Sequence, residues 1–548
     1  MSQNNPFIFS NETRKHNLQI LKTKPFDLLI VGAGINGAGA ARDAALRGLN
    51  VALIDKDDFS SGTSSSSSKL IHGGLRYLET YQFKLIYESS KERRVLQKVM
   101  PSLIKPCKFI FPVYKNSKPG IFLISCGMWL YDVLATFRNN GLHKIYNRKS
   151  FSVIEPMLNK EGLVGGASYY DCIADDSRLT IENAISAHLN GAVCANYIKA
   201  SSILSRNQNL STINAVDTIS GDKFEIKAKV IVNCSGPWVD KTLSSLKKIE
   251  SKKIRPTKGV HFIVKRDKIN NNNAIVMKAV KDNRTTFVIP WDKFTLVGTT
   301  DTDYDADLDN VYATKKDIEY LIESLNILFP EAKLSKDDII SSYAGLRPLV
   351  YEKGKNESAV SREHKIFIDD NIVTIAGGKL TTYRPMVKEL IDAVIKNFPF
   401  LKEKIIKPVK TSEACLETRE EFSYREKLEK TKLTSETTIY LRKNYGKNIL
   451  YILDLIIKNP SLGEKLEEDL PNIKAEVPYA IQHEMSYSLI DFYRRRTQIF
   501  LCAKSQGLDS IQFVADQHAS ALFWDDNKKQ EMIDAFKEYF RVHNKFRK

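Results

Sequence analysis

Gly32, Gly34 and Gly37 stand as G-x-G-x-x-G inside "FDLLIVGAGINGAGAARDAALRGLNVALIDKDDF" (26–59). That spacing suits the grip of a dinucleotide pyrophosphate. The first glycine permits a tight turn, the second lets backbone approach the phosphates, and the third lets a helix pack close to a strand. Asp55 stands where an acid would take ribose hydroxyls. These residues need elements to position them, and the flanks supply them. Phe26 to Val31 reads as a buried strand, Ala38 to Arg47 as a helix closed by Gly48, and Val51 to Ile54 as a second buried strand. The start of that helix offers unpaired N–H groups and a partial positive charge to an anion. Strand, turn, helix, strand and acid in this order predict a Rossmann-like nucleotide site, which suits NAD and FAD alike.

The rest of the 548 residues bounds the possibilities. A chain 43% hydrophobic, 27% charged and 10% aromatic is expected to fold as several soluble globular units rather than stay disordered. The 82 Lys and Arg against 65 Asp and Glu leave a net charge of +17, which attracts anionic lipid, nucleic acid or phosphorylated small molecules. Lysine-rich stretches such as "KEKIIKPVK" (402–410) carry no interleaved aromatics, and no zinc-finger or RNA-binding signature occurs, so no nucleic-acid partner is expected. Seven dispersed cysteines without a C-x-x-C pair predict reduced thiols and a cytoplasmic setting. The N-terminal stretch lacks the apolar core and cleavage site of a signal peptide. The most apolar window, "GIFLISCGMWLYDVLATF" (120–137), is interrupted by Asp132 too early to span a bilayer. It reads as a buried core helix or as a helix dipping into one leaflet with Trp129 and Tyr131 at headgroup level. In "DTDYDADLDNVY" (301–312), Asp301, Asp303 and Asp305 have calcium-loop spacing, but Ala306 and Tyr312 replace the required Gly and Glu. An acidic loop and no metal site are expected.

Composition alone would make "TSSSSSKLIHGGLRYLE" (63–79) a linker. It resembles instead the flavin-facing segment of the FAD-dependent (aerobic, quinone-linked) glycerol-3-phosphate dehydrogenase family. The resemblance recurs, in order, in "DCIADDSRL" (171–179), "NCSGPWVD" (233–240), "KGVHFIV" (258–264), "FVIPW" (287–291), "VGTTDTDY" (297–304), "GLRPL" (345–349) and "GGKLTTYR" (377–384), and more weakly in "AEVPYAIQHEMSYSLIDFYRRRT" (475–497). Two departures stand out: Asp55 where FAD enzymes more often carry Glu, and "NCSG" for the family's "NATG". The small residues that permit close backbone approach are kept. No extra cap insertion of the kind found in the oxygen-using glycerophosphate oxidases is evident.

The resemblance implies FAD as cofactor and oxidation of sn-glycerol 3-phosphate to dihydroxyacetone phosphate, with electrons passed to membrane quinone. An alpha-glycerophosphate oxidase that makes H2O2 from O2 is the alternative, and a non-catalytic flavin-binding scaffold on a membrane is a third reading. It further implies that Arg76, Arg347 and Lys379, with the hydroxyl of Tyr77, converge on the substrate phosphate, since guanidinium and ammonium groups match its oxygens. His261, Arg347 and Lys379 are the implied catalytic groups. His261 is favoured as the base, with His72 or a cation such as Arg347 stabilising an alkoxide as the rival. Flavin contacts carry over to Gly32, Gly34, Asn36, Gly37, Asp55, Thr63, Ser64, Ser67, Ser68, Lys69, Leu70, His72, Gly73, Gly236, Gly378, Leu380 and Thr381.

The implied fold class is α/β with an antiparallel β cap: a Rossmann-like FAD-binding fold of the glutathione-reductase/D-amino-acid-oxidase type with an all-α C-terminal domain. Residues 26–100, 166–250 and 340–400 are expected to form a discontinuous FAD-binding domain. Residues 101–165 and 251–339 would form the substrate-binding cap, 410–545 a helical domain, and 1–25 an N-terminal extension. "DSRLTIENAISAHLNGA" (176–192) reads as a helix capped at Asp176 or Ser177 and closed by Gly191. The expected setting is the inner face of the cytoplasmic membrane, peripherally bound through an anionic lipid surface, with a homodimer as candidate assembly.

Overall fold

A computed structural model of the chain describes residues 9–78, 81–115, 117–137, 139–207, 210–247, 252–279, 282, 284–353, 363–405, 416 and 424–548. Among the described residues, two sheets organise the molecule. The first is eight-stranded, with a parallel core in the order Ile372–Gly377, Lys223–Asn233, Pro25–Val31, Val51–Ile54, Val193–Ala195. Its central strand is apolar because both faces are covered: Leu28, Leu29 and Ile30 are fully buried. One face packs on the helix Ile35–Leu46, whose Ala38, Ala41 and Ala44 are small enough to let the helices Asp176–Leu189 and Tyr383–Asn397 close in. The other face takes Leu21 of the helix Asn11–Thr23 and Leu243 of Val239–Lys247. The described part of the expected N-terminal extension is thus an integral helix, tied down by the buried pair Arg14–Asp217. Val31 lies level with Ile54 and Asn233, so three carboxyl ends meet at the glycine turn, where open α/β sheets bind ligands.

The second, ten-stranded sheet is the cap. Its strands Ile254–Lys265, Phe294–Gly298 and Thr285–Trp291 pair antiparallel, and Ile339–Val350 runs antiparallel along the other edge of Ile254–Lys265. Two expected domain borders need correction. Leu163–Ile173 and Ile339–Val350, expected to lie partly in the FAD-binding domain, hydrogen-bond into the cap sheet. Both are long strands whose register is set by cap neighbours, and the chain re-enters the parallel sheet only afterwards. The helix Asp176–Leu189 is capped one residue earlier than expected: the Asp175 carboxylate accepts from the Arg178 amide.

The apolar helix Ile121–Leu134 is not a core helix. Phe122 is 80% and Trp129 55% exposed, while Tyr131 is fully buried. Tyr131 is therefore not at any headgroup level. Its hydroxyl donates to Asp171, which also accepts from the Gly73 amide and pairs with the buried Arg93. No helix among the described residues is long and apolar enough to cross a membrane.

The described part of the C-terminal region, 424–548, is helical. It docks on the side of the parallel-cored sheet through buried charge. Asp58 accepts from both Arg495 and Arg496. Burial alone would raise its pKa, but the two guanidinium groups hold it down at about 2. Removing one partner of such a pair strands a buried charge.

Candidate active site

A cleft of about 270 Å³ opens at the carboxyl ends of the parallel strands. Gly32, at φ +100°, turns the chain so tightly that a Cβ there would lie 2.8 Å from the Cys234 carbonyl oxygen. Gly37 packs against the same turn, where a Cβ would stand only 1.7 Å from the Gly32 oxygen. Gly34 differs: a Cβ there would meet only the Ser64 side chain, at 3.1 Å from Oγ, and would otherwise enter the cleft. Gly34 is also the N-cap of the helix Ile35–Leu46 and supplies no capping side chain, so amides at the helix start face the cleft uncapped except where Ser64 Oγ accepts from Ile35. Asp55 accepts from the amides of Ala33 and Asp57. Burial, then the Asp57 charge, push its carboxyl up to about 7.

The serine run is a seam between the two sheets. On the cap side, Thr63 donates to the Leu346 carbonyl at 2.6 Å, and Tyr343 donates to the Ser67 carbonyl at 2.8 Å. Gly345 presses so closely that a Cβ would stand 2.7 Å from the Ser66 oxygen, and Ser68 Oγ bonds His261 Nε2 at 2.8 Å. On the side of the parallel sheet, the His72 amide donates to Thr381 Oγ1 at 3.1 Å, and the Lys379 ammonium sits 3.6 Å from the centre of the Tyr77 ring. From the helix Asp176–Leu189, Asp176 accepts from both the amide and the hydroxyl of Ser67.

The cap strands deliver His261 and Arg347 by alternation. Tyr343, Gly345 and Arg347 share one face of their strand. In the adjacent strand His261 lies opposite Tyr343, and Gly259 opposite Gly345. Gly259 must lack a side chain because the Arg347 guanidinium crosses it, 2.4 Å from where a Cβ would be. The guanidinium is fixed by Asp301 Oδ1 at 2.9 Å, Thr299 Oγ1 at 2.9 Å and the Thr300 carbonyl at 3.0 Å. Since Asp301 orients Arg347 in a partly exposed pair, Asp301→Asn is expected to lower kcat/KM by about five- to tenfold, about 1–1.4 kcal/mol, chiefly through KM in steady-state assays.

His261 is 3% exposed and stacked on Tyr343, centroids 4.9 Å apart. Its Nδ1 has no hydrogen-bond partner among the described residues. Burial, then the Arg347 and Lys69 charges, push its pKa down to about 3 from 6.5, so the ring is neutral. An unfolded chain protonates this ring near pH 6.5, and the folded one refuses the proton until about 3, so stability falls as pH drops through that window. His261→Asn is expected to flatten the fall of Tm between about pH 6.5 and 4.5. His518 and His543, each buried and lowered to about 4, add to that fall, whereas the buried carboxyls of Asp55 and Glu476, pushed up to about 7, oppose it. An unchanged slope would show that the ring is not held neutral.

With this geometry in place, the chain compares closely with known flavoproteins. The family described as FAD dependent oxidoreductase matches residues 27–381, and the C-terminal domain of alpha-glycerophosphate oxidase matches 411–529. A glycerol-3-phosphate dehydrogenase of Synechocystis sp. is 35% identical over 95% of this chain and 98% of its own. The chain belongs to the FAD-dependent glycerol-3-phosphate dehydrogenase family. An aerobic glycerol-3-phosphate dehydrogenase of Staphylococcus aureus is 36% identical over 88% of each chain. The glycerol-3-phosphate dehydrogenase of Bacillus halodurans, solved with FAD, superposes with a TM-score of 0.81 at 28% identity, covering 98% of each chain. The L-alpha-glycerophosphate oxidase of Mycoplasma pneumoniae shares the fold at a TM-score of 0.55 and 18% identity, over 68% of this chain and 95% of its own.

The cleft of this family member fits FAD, its cofactor. Gly34 leaves an opening that a side chain would fill, the helix start presents amides, and the buried Asn36 Oδ1 lacks a protein partner among the described residues. Gly32, Asp55, Thr63, Ser64, Ser67, Gly236, Gly378, Lys379 and Leu380 also line it. Three expected flavin contacts stand differently. Lys69, expected to face the flavin, turns away. Its left-handed backbone (φ 55°) directs the ammonium to Asp176 at 2.6 Å, beside Trp291, in a cavity shared with the helical region. Leu70 puts its side chain into the hydrophobic core. Gly73 backs onto Tyr131, whose hydroxyl would lie 2.1 Å from a Cβ. The Arg76 side chain lies outside the described residues. Tyr343 and Arg494 escape the sequence reading, and Asp301 and Asp176 enter it only as an acidic-loop residue and a helix cap. The period-two spacing of Tyr343 to Arg347 was a usable signal for the first; the others act across long sequence separations.

Proposed function

We propose that this enzyme oxidises sn-glycerol 3-phosphate to dihydroxyacetone phosphate and passes the electrons to a membrane quinone. The observation that carries the reading is the seam. It places Arg347 and a buried neutral His261 on its cap side, and Lys379 over Tyr77 on its FAD-binding side. FAD supplies the acceptor for the hydride that leaves C2. Arg347 and Lys379 hold the phosphate dianion, with Tyr77 completing the grip. In the tautomer that donates Nε2–H to Ser68 Oγ, the buried Nδ1 of His261 carries the lone pair that takes the C2 hydroxyl proton. Binding a dianion beside Arg347 offsets one of the charges that depress the imidazole, which raises its basicity when substrate is present.

The quinone reading rests on a second cavity, of about 360 Å³, with His72 and Gly74 in its wall. Phe109, Met128, Tyr169 and Phe287 make it apolar, and Tyr81, Phe83, Leu123 and Leu130, all exposed, stand at its mouth. That mouth is continuous with the exposed apolar side of the helix Ile121–Leu134, so an apolar acceptor could enter from a leaflet in which the helix lies. The surplus of positive charge favours the anionic inner face of the cytoplasmic membrane. Anaerobic addition of glycerol 3-phosphate should bleach the flavin band. Reoxidation by a quinone analogue in anionic vesicles should then outpace reoxidation by oxygen. No bleaching would eliminate the dehydrogenation, and fast reaction with oxygen accompanied by H2O2 would make the protein an oxidase.

A further inference from the structure

We propose that Arg494, from the helical C-terminal region, is a positioning residue for His261, acting through the Tyr343 ring and the main chain of the serine run. The proposal rests on the reading of His261 as the proton acceptor.

Three side chains form a ladder, and each rung grips the same short segment. Arg494 lies with its guanidinium carbon 5.1 Å from the Tyr343 ring centre and donates through Nη2 to the Ser65 carbonyl at 2.7 Å. Tyr343 stacks on His261 at an interplanar angle of 15° and donates to the Ser67 carbonyl at 2.8 Å. His261 bonds Ser68 Oγ at 2.8 Å. Guanidinium, phenol and imidazole are all buried, at 2%, 1% and 3% exposure. The imidazole is also boxed from the far side, because Gly298 opposite it leaves only 2.2 Å between a Cβ and His261 Cδ2. A planar cation over an electron-rich ring is attracted by the ring's quadrupole, and a ring held on both faces has one orientation to offer. A proton acceptor must hold that orientation, since small misplacements slow proton transfer steeply.

The base of the ladder is itself fixed. Arg494 belongs to the wide turn Asp491–Arg496, which has π geometry and is buried throughout. Its neighbours Arg495 and Arg496 are locked on Asp58, a few residues before the serine run. Arg494 has no such partner: no acid pairs with it among the described residues. A surface-anchoring arginine would pair with the acid it docks on. This one spends its donor on a main-chain carbonyl and its face on a tyrosine ring. Removing its charge also strands no buried carboxylate, so substitution should leave the fold intact.

The test is a double-mutant cycle on FAD-loaded protein, read as the rate of anaerobic flavin reduction by glycerol 3-phosphate. Arg494→Met should slow the limiting rate about tenfold and change the half-saturating substrate concentration by less than about twofold. Arg494→Lys, which keeps a donor and a cation but not the flat face, should recover part of the loss. In a His261→Asn background, Arg494→Met should slow reduction no further. In 15N-histidine spectra, His261 should show one ring tautomer in the parent protein and averaged shifts in Arg494→Met. A parent-like limiting rate for Arg494→Met, or a slowing that multiplies with that of His261→Asn, would overturn the proposal while leaving His261 its role. A parent-like rate for His261→Asn would remove the role itself, and the proposal with it. Should Arg494→Met fail to load FAD, Arg494→Lys decides, since its smaller slowing must also vanish in the His261→Asn background; Tyr343→Phe then tests the relay. It keeps both stacked faces and loses only the Ser67 bond, and its slowing must vanish in the His261→Asn background.

Discussion

Arg347→Ala is expected to lower kcat/KM for glycerol 3-phosphate by about two to three orders of magnitude while FAD stays bound. A charge-assisted bond to phosphate contributes about 1.5–3 kcal/mol, and a guanidinium can offer two such bonds side by side, so the loss is about 3–4 kcal/mol. Two structural facts separate this loss from general damage. The Arg347 side chain lies over a glycine and is 18% exposed, so its removal opens no cavity in the hydrophobic core. Its partners Thr299, Thr300 and Asp301 sit on the cap, away from the glycine turn that holds the nucleotide. Its ion-pair partner Asp301 is partly exposed, so the substitution strands no buried charge there. Arg347→Lys should recover little, because a point charge cannot hold Asp301, Thr299 and phosphate at once. Stopped-flow reduction with FAD content measured in parallel is the check. A variant with near-normal kcat/KM would take Arg347 out of the site.

The nucleotide half was legible because its signals are local. Strand, glycine turn, helix and second strand fall within thirty or so residues; Gly32 and Gly37 each have a backbone reason to be glycine, and Gly34 keeps the cleft open. The other half was legible only as matching motifs, because its contacts join distant segments: Ser68 with His261, Thr63 with Leu346, Ser65 with Arg494. No periodicity in "SSSSSKLIHGGLRYLE" reports that two sheets close on it. The errors share that origin. Lys69 and its serine neighbours look alike in sequence, but one left-handed residue sends the ammonium to Asp176. Leu163–Ile173 and Ile339–Val350 read as generic β segments, and only pairing shows that both belong to the cap. The apolar helix Ile121–Leu134 misleads because its buried contacts are few and specific: Tyr131 and Asp132 turn inward to Asp171 and His143 while Phe122 and Trp129 face out.

Gly34→Val is expected to give a folded protein that does not hold FAD, whereas Gly37→Ala is expected to lose the fold around the turn. Both glycines belong to one motif, so the contrast isolates what each does. Gly34 has ordinary extended dihedrals (φ −72°, ψ −175°), which valine adopts without strain. Its Cβ would press only on the Ser64 hydroxyl, a side chain that can rotate. The rest of the valine enters the cleft where the pyrophosphate must approach, so the conflict falls on the cofactor and not on the protein. A Cβ at Gly37 meets the Gly32 carbonyl at 1.7 Å, a backbone atom that cannot move without breaking the turn or the parallel sheet beneath it. Far-UV circular dichroism should therefore be native-like for Gly34→Val and altered for Gly37→Ala, and the visible flavin band should be absent from both. Flavin retained by Gly34→Val would place the pyrophosphate elsewhere, and with it the whole assignment of the cleft.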